Sequence, residues 1–298
     1  MRTFPYLLAI LIALSAAGSL AGERVYFEDE NLVIGGEERL DSDAEYIRDI
    51  YPEAKKGIES MLGLNLLSRP TVLLVGNREL FERIAGSPYI AALAVPSEKL
   101  ILIHISAATS KRYVLNDTFK HELCHLVLHD NIGNVFLPKW LDEGICQWIS
   151  GSFGEMLAGE GIAISRFDMA RRFIPLERLS INFPREREPL SLAYKESLDF
   201  VEYLTSHYGA KSLIQILQLL KAGEYIDSAF PKVLSKSFRE VQDEWLVNMQ
   251  KSGEWLVWGS EHLYDILFFV AAVLSILAFF RAKWKRSRYA EMDEDEED

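Results

Sequence analysis

Residues 120–130 read "KHELCHLVLHD" and place His121, Glu122, His125 and His129 within eleven positions. On an α-helix, residues four apart lie one above the other on one face. His121 and His125 can therefore aim their imidazoles at the same ion. Glu122 sits about 100° round the helix from His121. From there a carboxylate can reach a water beside that ion without displacing it. The spacing offers two nitrogen ligands and a base; a helix that merely carries histidines is the plain alternative. An open catalytic zinc site needs three protein ligands plus water. A histidine six residues after His125, behind a helix-ending glycine, would supply the third, but those positions hold Asn131 and Leu128. The other source is Glu143 in "WLDEG", with 17 residues between it and His125. That length suffices to end one helix, turn at residues 131–134 and enter a second helix at Pro138, so that two antiparallel helices bring Glu143 back to the histidines.

The elements that must position these residues can be read from periodicity and punctuation. Asn116 or Asp117 is expected to cap the motif helix, which runs to about His129 with Gly133 just past its end. Pro138 opens "PKWLDEGICQWIS", where a proline forfeits no hydrogen bond. Residues 25–27 and 32–34 read as short strands in a hairpin, "TVLLV" (71–75) as a buried strand, and "LILIHI" (100–105) as a strand leading toward the motif. Helices are expected at 43–62, stopped by Gly63, and at 78–84, 192–207, 211–222, 225–234 and 238–251. Gly151 and Gly154 begin a looser region. No internal repeat is present.

With these residues in hand, the chain resembles the gluzincins, zinc peptidases with an H-E-x-x-H helix and a downstream glutamate, and among them the small bacterial peptidase-MA-like domains. "RPTVLLVGNRELFERIAG", "AALAVPSEKLILIH", "FKHELCHLVLHD", "LPKWLDEGICQWISG" and "LAYKESLDFVEYLTSHYG" follow the family's order at similar spacing, over most of residues 25–250. The resemblance implies an α+β, zincin-like fold: a small mixed sheet, the active-site helix below it, and a C-terminal helical subdomain forming the other wall of a cleft. It implies that His121, His125 and Glu143 hold one Zn²⁺, that Glu122 takes a proton from water and passes it to the leaving amine, and that Tyr194 donates to the oxyanion. A glycine that follows the lysine in the gluzincin aminopeptidases is replaced here by Glu196 and Ser197, and a Tyr194 that only packs at the start of a helix is the alternative. Those aminopeptidases also carry a glycine-x-methionine-glutamate-asparagine strand that holds the substrate's amine. The counterpart here, Ala91 to Val95, has no acid, and Glu98 falls in the turn. This favours an endopeptidase acting on a peptide or protein. The strand at 100–104 either offers its edge to an extended peptide or is an ordinary sheet strand. The rival function is a non-catalytic, zinc-binding, membrane-tethered scaffold, against which the intact Glu122 speaks.

Other residues read more plainly. His129 is placed toward solvent or behind the ligands, and His104 and His207 are structural. Asp130 and Asp142 read as solvated or capping carboxylates, with support of the histidines as the alternative. Cys124 and Cys146 each follow a proposed ligand by three residues. Two buried thiols are the first reading, and a disulfide between packed helices the second.

Composition bounds the rest. The 298 residues are 49% hydrophobic with a net charge of −12, and "EMDEDEED" at the end contributes seven of the acids. No basic stripe tracks a nucleic-acid backbone, and no G-x-S-x-G or phosphate-binding glycine loop offers a competing chemistry. Arg2, the apolar run 7–14 and the small residues Ser19 and Ala21 describe a signal peptide over 1–21, with an uncleaved membrane anchor as the alternative. Residues 266–280 carry no charge and are followed by Arg281, Lys283, Lys285, Arg286 and Arg288. This predicts a transmembrane helix over 263–281 with its basic end cytoplasmic, aromatic belts drawn from Trp255, Trp258, Tyr264 and Trp284, and a cytoplasmic tail over 282–298; a buried core helix, the alternative, explains neither the basic flank nor the polar tail. The peptidase-like domain, 22–252, would then lie outside the cytoplasm.

Overall fold

A strand covered on both faces reads as a near-continuous apolar run. Two such runs, β3 (Thr71–Val75) and β5 (Leu100–His104), lie inside a five-stranded sheet. The computed structural model describes residues 24–105, 111–133, 136–151 and 164–294. The apolar run at 7–14, Gly154 and the last four residues of the tail fall outside them. The sheet order is β1 (Arg24–Glu28), β2 (Val33–Gly36), β3, β5 and β4 (Ala92–Val95). β2, β3 and β5 run parallel, and β1 and β4 are antiparallel on the two margins. The hairpin between β1 and β2 turns on Asp29, whose carboxylate accepts the N–H groups of Asn31 and Leu32 at 2.8 Å each.

The parallel strands are linked by helices, as parallel pairing requires. α1 (Asp41–Leu62) joins β2 to β3 and ends on Gly63, whose φ of 63° lies in the left-handed region that favours glycine. α2 (Arg78–Ala85) leaves β3 under an Asn77 cap, whose side chain accepts the Leu80 N–H at 3.0 Å. β4, a short 3₁₀ turn (Pro96–Glu98) and β5 follow. One face of the sheet packs Val75, Leu100 and Leu102 against Leu80 and Phe81 of α2. The alternate residues Val72, Leu74, Ile101 and Ile103 are fully buried on the other face. α1 packs on α3 (Arg112–Asn131), and α3 packs along β4 and β5.

α4 (Lys139–Ser150), α5 (Arg166–Arg172), α6 (Arg187–His207), α7 (Ala210–Lys221), α8 (Ile226–Leu234) and α9 (Phe238–Glu261) form the helical half. Its centre is aromatic. Trp140 meets Phe200 edge-on at 5.2 Å and stacks on Phe238 at 5.2 Å, while Phe200 meets Trp245 at 5.1 Å. The chain divides between Leu246 and Val247 into two compact units. The second contains α10 (Leu263–Glu294), in which Tyr264–Arg281 is long and apolar enough to cross a membrane.

Three sequence expectations are corrected. α3 begins at Arg112, a turn before Asn116 and Asp117. The Asn116 amide donates to the Asp117 carboxylate at 2.9 Å, and the start is held instead by Arg112, which pairs with Asp43 at 2.7 Å and lies over the Tyr46 ring. α6 likewise begins at Arg187, so Tyr194 stands inside the helix and not at its start. The strand Leu100–His104 has neighbours on both sides, and the free edge belongs to β4.

Candidate active site

From His121 to Leu128 every residue of α3 is buried. The helix therefore has no clean apolar stripe; His121 and His125 are buried, and His129 is half-buried. His121 Nε2 and His125 Nε2 stand 3.0 Å apart. Glu143 of α4 closes the triangle, with Oε2 at 3.3 Å from the first nitrogen and 3.6 Å from the second. All three atoms present lone pairs, which face one another so closely only across a proton or a cation. A tetrahedral ion about 2.0–2.1 Å from each nitrogen keeps its ligand atoms roughly 3.3 Å apart. The observed separations bracket that value, so the donor set fits a metal ion.

Cys124 and Cys146 do not remain two buried thiols, as the sequence first suggests. They form a disulfide, with Cα atoms 5.4 Å apart. The packing that brings Glu143 to His121 also brings the next turn of α4 to the next turn of α3, and both cysteines lie on that seam. Asp142 is likewise no solvated carboxylate. It accepts from His125 Nδ1 at 2.8 Å and from His129 Nε2 at 3.0 Å. Burial disfavours charge on His125, but Asp142 and Glu143 outweigh it and raise the imidazole well above its ordinary range; an ion that displaced the Nε2 proton would leave Nδ1–H on Asp142 and the Nε2 lone pair turned to the ion position. His129 thus stands behind the candidate ligands, within the alternatives read for it. His121 Nδ1 is buried with no partner among the described residues. Asp130 instead takes the Leu67 and Ser68 N–H groups and the Lys99 ammonium, and among the described residues it meets no histidine. His104 stacks on Phe81 at 5.5 Å and His207 on Tyr203 at 5.1 Å, so both are structural.

The charges of the site are set by burial and by one another. Burial opposes the charge on Glu143, but Lys139, His125 and hydrogen bonds from both histidines outweigh it and hold the carboxyl well below the usual range. Lys139 Nζ lies 2.8 Å from Glu143 Oε1, one turn earlier on the same helix. Burial also opposes Asp142's charge, and His125 and His129 reverse that. Glu122 goes the other way. Burial pushes its carboxyl up, the neighbouring Glu143 adds to this, and the two histidines and a hydrogen bond from the Ala94 backbone only temper it.

Gly144 is what lets the second wall approach. A Cβ there would stand 2.3 Å from the Ser197 carbonyl oxygen and 2.8 Å from Val201 Cγ2. Only glycine allows α4 and α6 to touch at this level. One turn before Ser197, Tyr194 faces a cleft of about 470 Å³ shared with His121, Glu122, His125 and Glu143. Burial, then the charges of Glu143 and Glu122, hold the phenol well above its ordinary range, so it stays protonated. All five sequence-derived site residues thus line one cleft.

A family model for the Peptidase MA superfamily matches residues 84–251. The chain belongs to the Peptidase MA superfamily. No curated protein sequence matches it. The Peptidase MA segment is a peptidase-MA-like, gluzincin-type domain, and it takes in β4, β5, the histidine helix, Glu143 and Tyr194. It also holds groups that sequence reading missed. Lys139 could have been found from its four-residue spacing to Glu143. Phe183, which meets the Tyr194 ring at 5.0 Å and carries Lys139 over its face at 5.2 Å, lies in an aperiodic stretch and gave no signal.

Proposed function

We propose that the chain is a membrane-anchored zinc metallopeptidase that cleaves peptide bonds outside the cytoplasm as an endopeptidase. The observation that carries this is the convergence of His121 Nε2, His125 Nε2 and Glu143 Oε2 at 3.0–3.6 Å, with Glu122 in the same cleft. Two imidazoles and a carboxylate suit Zn²⁺, and a mixed sheet with its free edge above the histidine helix is in keeping with a zincin-like fold. Bound there, zinc supplies Lewis acidity, which makes a water acidic and polarises a carbonyl. The chain's residues do the rest. Asp142 holds the His125 ring in the ligating tautomer. Glu122, raised by burial, accepts the water's proton and passes it to the leaving amine. Tyr194, kept protonated, donates to the developing oxyanion.

The endopeptidase reading rests on β4. Its free edge borders the cleft and can add an extended peptide through main-chain hydrogen bonds. No acid on Ala92–Val95 is present to hold a free amine, and Glu98 belongs to the 3₁₀ turn. The proposed order along the chain is a signal peptide over 1–21, the peptidase domain over 22–252, a membrane span over 263–281 and a cytoplasmic tail over 282–298. The apolar stretch Tyr264–Arg281, the basic residues after it and a disulfide of the kind oxidising compartments permit all support that arrangement. The rival reading, a non-catalytic tethered scaffold, draws on Lys139, which neutralises Glu143 without an ion.

The test is metal content measured beside cleavage of an unbiased peptide mixture. Glu122→Gln should keep zinc and lose turnover by roughly 10²- to 10⁴-fold. Glu143→Ala should lose the metal itself. Tyr194→Phe should keep the metal and lose roughly 10²- to 10³-fold in turnover. Internal cuts support an endopeptidase, and stepwise loss of N-terminal residues overturns that part. A zinc-loaded chain that cuts nothing, or a Glu122→Gln variant as active as the parent, leaves the scaffold reading standing.

A further inference from the structure

His125 faces two ways. Its Nε2 points to His121 and Glu143, and its Nδ1 lies 2.8 Å from Asp142 Oδ1. Beyond Nδ1 there is also sulfur, for Cys146 Sγ stands 3.6 Å from the same nitrogen. His125, Asp142 and Cys146 are buried, and their donor atoms all lie within 4.8 Å of one another. His129 Nε2 reaches the other Asp142 oxygen at 3.0 Å and is partly open to solvent. Sulfur and nitrogen ligands of one tetrahedral ion, at about 2.3 Å and 2.0–2.1 Å from it, stand roughly 3.5 Å apart. The observed sulfur–nitrogen distance is already of that size. The bridge to Cys124 keeps this set closed, because a disulfide sulfur is not the thiolate that a metal requires.

We propose that Cys146, Asp142 and His125, with His129 as a fourth donor, form a second metal position that opens when the Cys124–Cys146 disulfide is reduced, and that filling it disables the first. A dithiol reductant gives two electrons and two protons to the bridge, itself becoming a disulfide, and leaves Cys124 and Cys146 as thiols. When an ion enters, the Cys146 thiol releases its proton. His125 must now offer the Nδ1 lone pair, and a neutral imidazole carries one N–H. The proton therefore sits on Nε2, the nitrogen that faced His121 and Glu143. One ring cannot serve both positions while neutral, so occupation of one excludes the other. The inhibitory consequence rests on the peptidase reading, whereas the second position does not.

Cobalt(II), added to the full chain, is the probe, because thiolate bound to it produces a sulfur-to-metal charge-transfer band. The oxidised chain should bind cobalt without the band. After treatment with a dithiol, and removal of the excess, the band should appear. It should be absent from reduced Cys146→Ser and present in Cys124→Ser with no reductant at all. If Cys124→Ser does not fold, reduced parent against reduced Cys146→Ser makes the same comparison. A reduced parent that takes up cobalt without the band, a band that survives in Cys146→Ser, or a reduced chain that loses its fold each overturns the proposal. Cleavage of peptide should fall as the band grows and return on reoxidation, and cleavage that stays level as the band grows overturns the exclusion. If neither form ever cleaves peptide, the peptidase reading fails while the band still decides the second position.

Discussion

Asp142 and Glu143 are neighbours in sequence with opposite tasks. A step of one residue along α4, about 100°, sends Glu143 to the front of the His125 ring and Asp142 to its back, at 2.8 Å from Nδ1. His121 and His125 can be read from the four-residue spacing of "HELCH" alone, whereas Glu143 of "WLDEG" sits on a second helix and is pointed to by the family resemblance. The supporting role of Asp142 could not be read, since it depends on how deeply α4 packs against α3. The same packing decided between bridged and free cysteines. Glu196 was noticed only as a departure from a motif, yet it is fully buried. Its Oε1 accepts the Ile174 N–H at 3.0 Å, and its Oε2 has no partner among the described residues. Burial, helped by the charge of Asp199 and opposed by the Ile174 hydrogen bond, pushes the carboxyl from 4.5 up to about 8. Between these two values the folded chain holds a proton that the unfolded chain has lost. Its contribution is complete below 4.5 and is lost as pH rises through about 8. Within that window stability should fall by up to about 1.4 kcal/mol per pH unit. Glu196→Gln should flatten the slope. Denaturant midpoints on both sides of the window measure it, and an equal slope in the two proteins would refute the assignment.

At the scale of elements, the contact between α4 and α6 controls how Tyr194 meets Glu143. Gly144→Ala places a methyl 2.3 Å from a backbone oxygen. Backbone cannot rotate away as a side chain can, so the helices must part. The expected cost is about 1–3 kcal/mol, read as a lower melting temperature. Turnover should drop further than metal content, because the disulfide keeps α4 and Glu143 on the histidine helix, and the helix that carries Tyr194 is the one displaced. Unchanged melting would mean that the helices can separate freely. Element identity was largely open to sequence reading: "TVLLV" matches β3 residue for residue, and Gly63 and Gly151 end α1 and α4 as left-handed glycines. Strand order was not, for periodicity says which residues are buried and nothing about which strand lies outermost. That is why the sequence leaves the strand at 100–104 open between an edge and an ordinary sheet strand; it is the latter, and the margin beside the cleft belongs to β4. Capping chemistry misled at α3, where Asn116 and Asp117 satisfy each other.

For the whole molecule, the proposed topology follows from a charge asymmetry. The uncharged stretch 266–280 is followed at once by basic residues and then by the acidic "EMDEDEED" tail. Protease added to intact spheroplasts should digest the domain and spare an epitope placed on the tail. Loss of the epitope together with the domain would reverse the orientation. The matched segment, 84–251, begins after β3, so the family signal lies in the site half of the sheet and the helices beyond it. The resemblance read from sequence extends further back, to residue 25, over strands that the matched segment leaves out.

The disulfide and the Gly144 contact together have a dynamic consequence. The first ties α3 to α4 and the second seats α4 on α6, so the five proposed chemical groups ride on one stiff block. Whatever opening admits a polypeptide and lets its fragments leave must then come from the remaining rim, near residues 86–90 and 182–185. Amide hydrogen exchange should show it: slow at 121–128 and 143–147, fast along both rim segments. Equal rates in rim and block would mean that the helices themselves breathe.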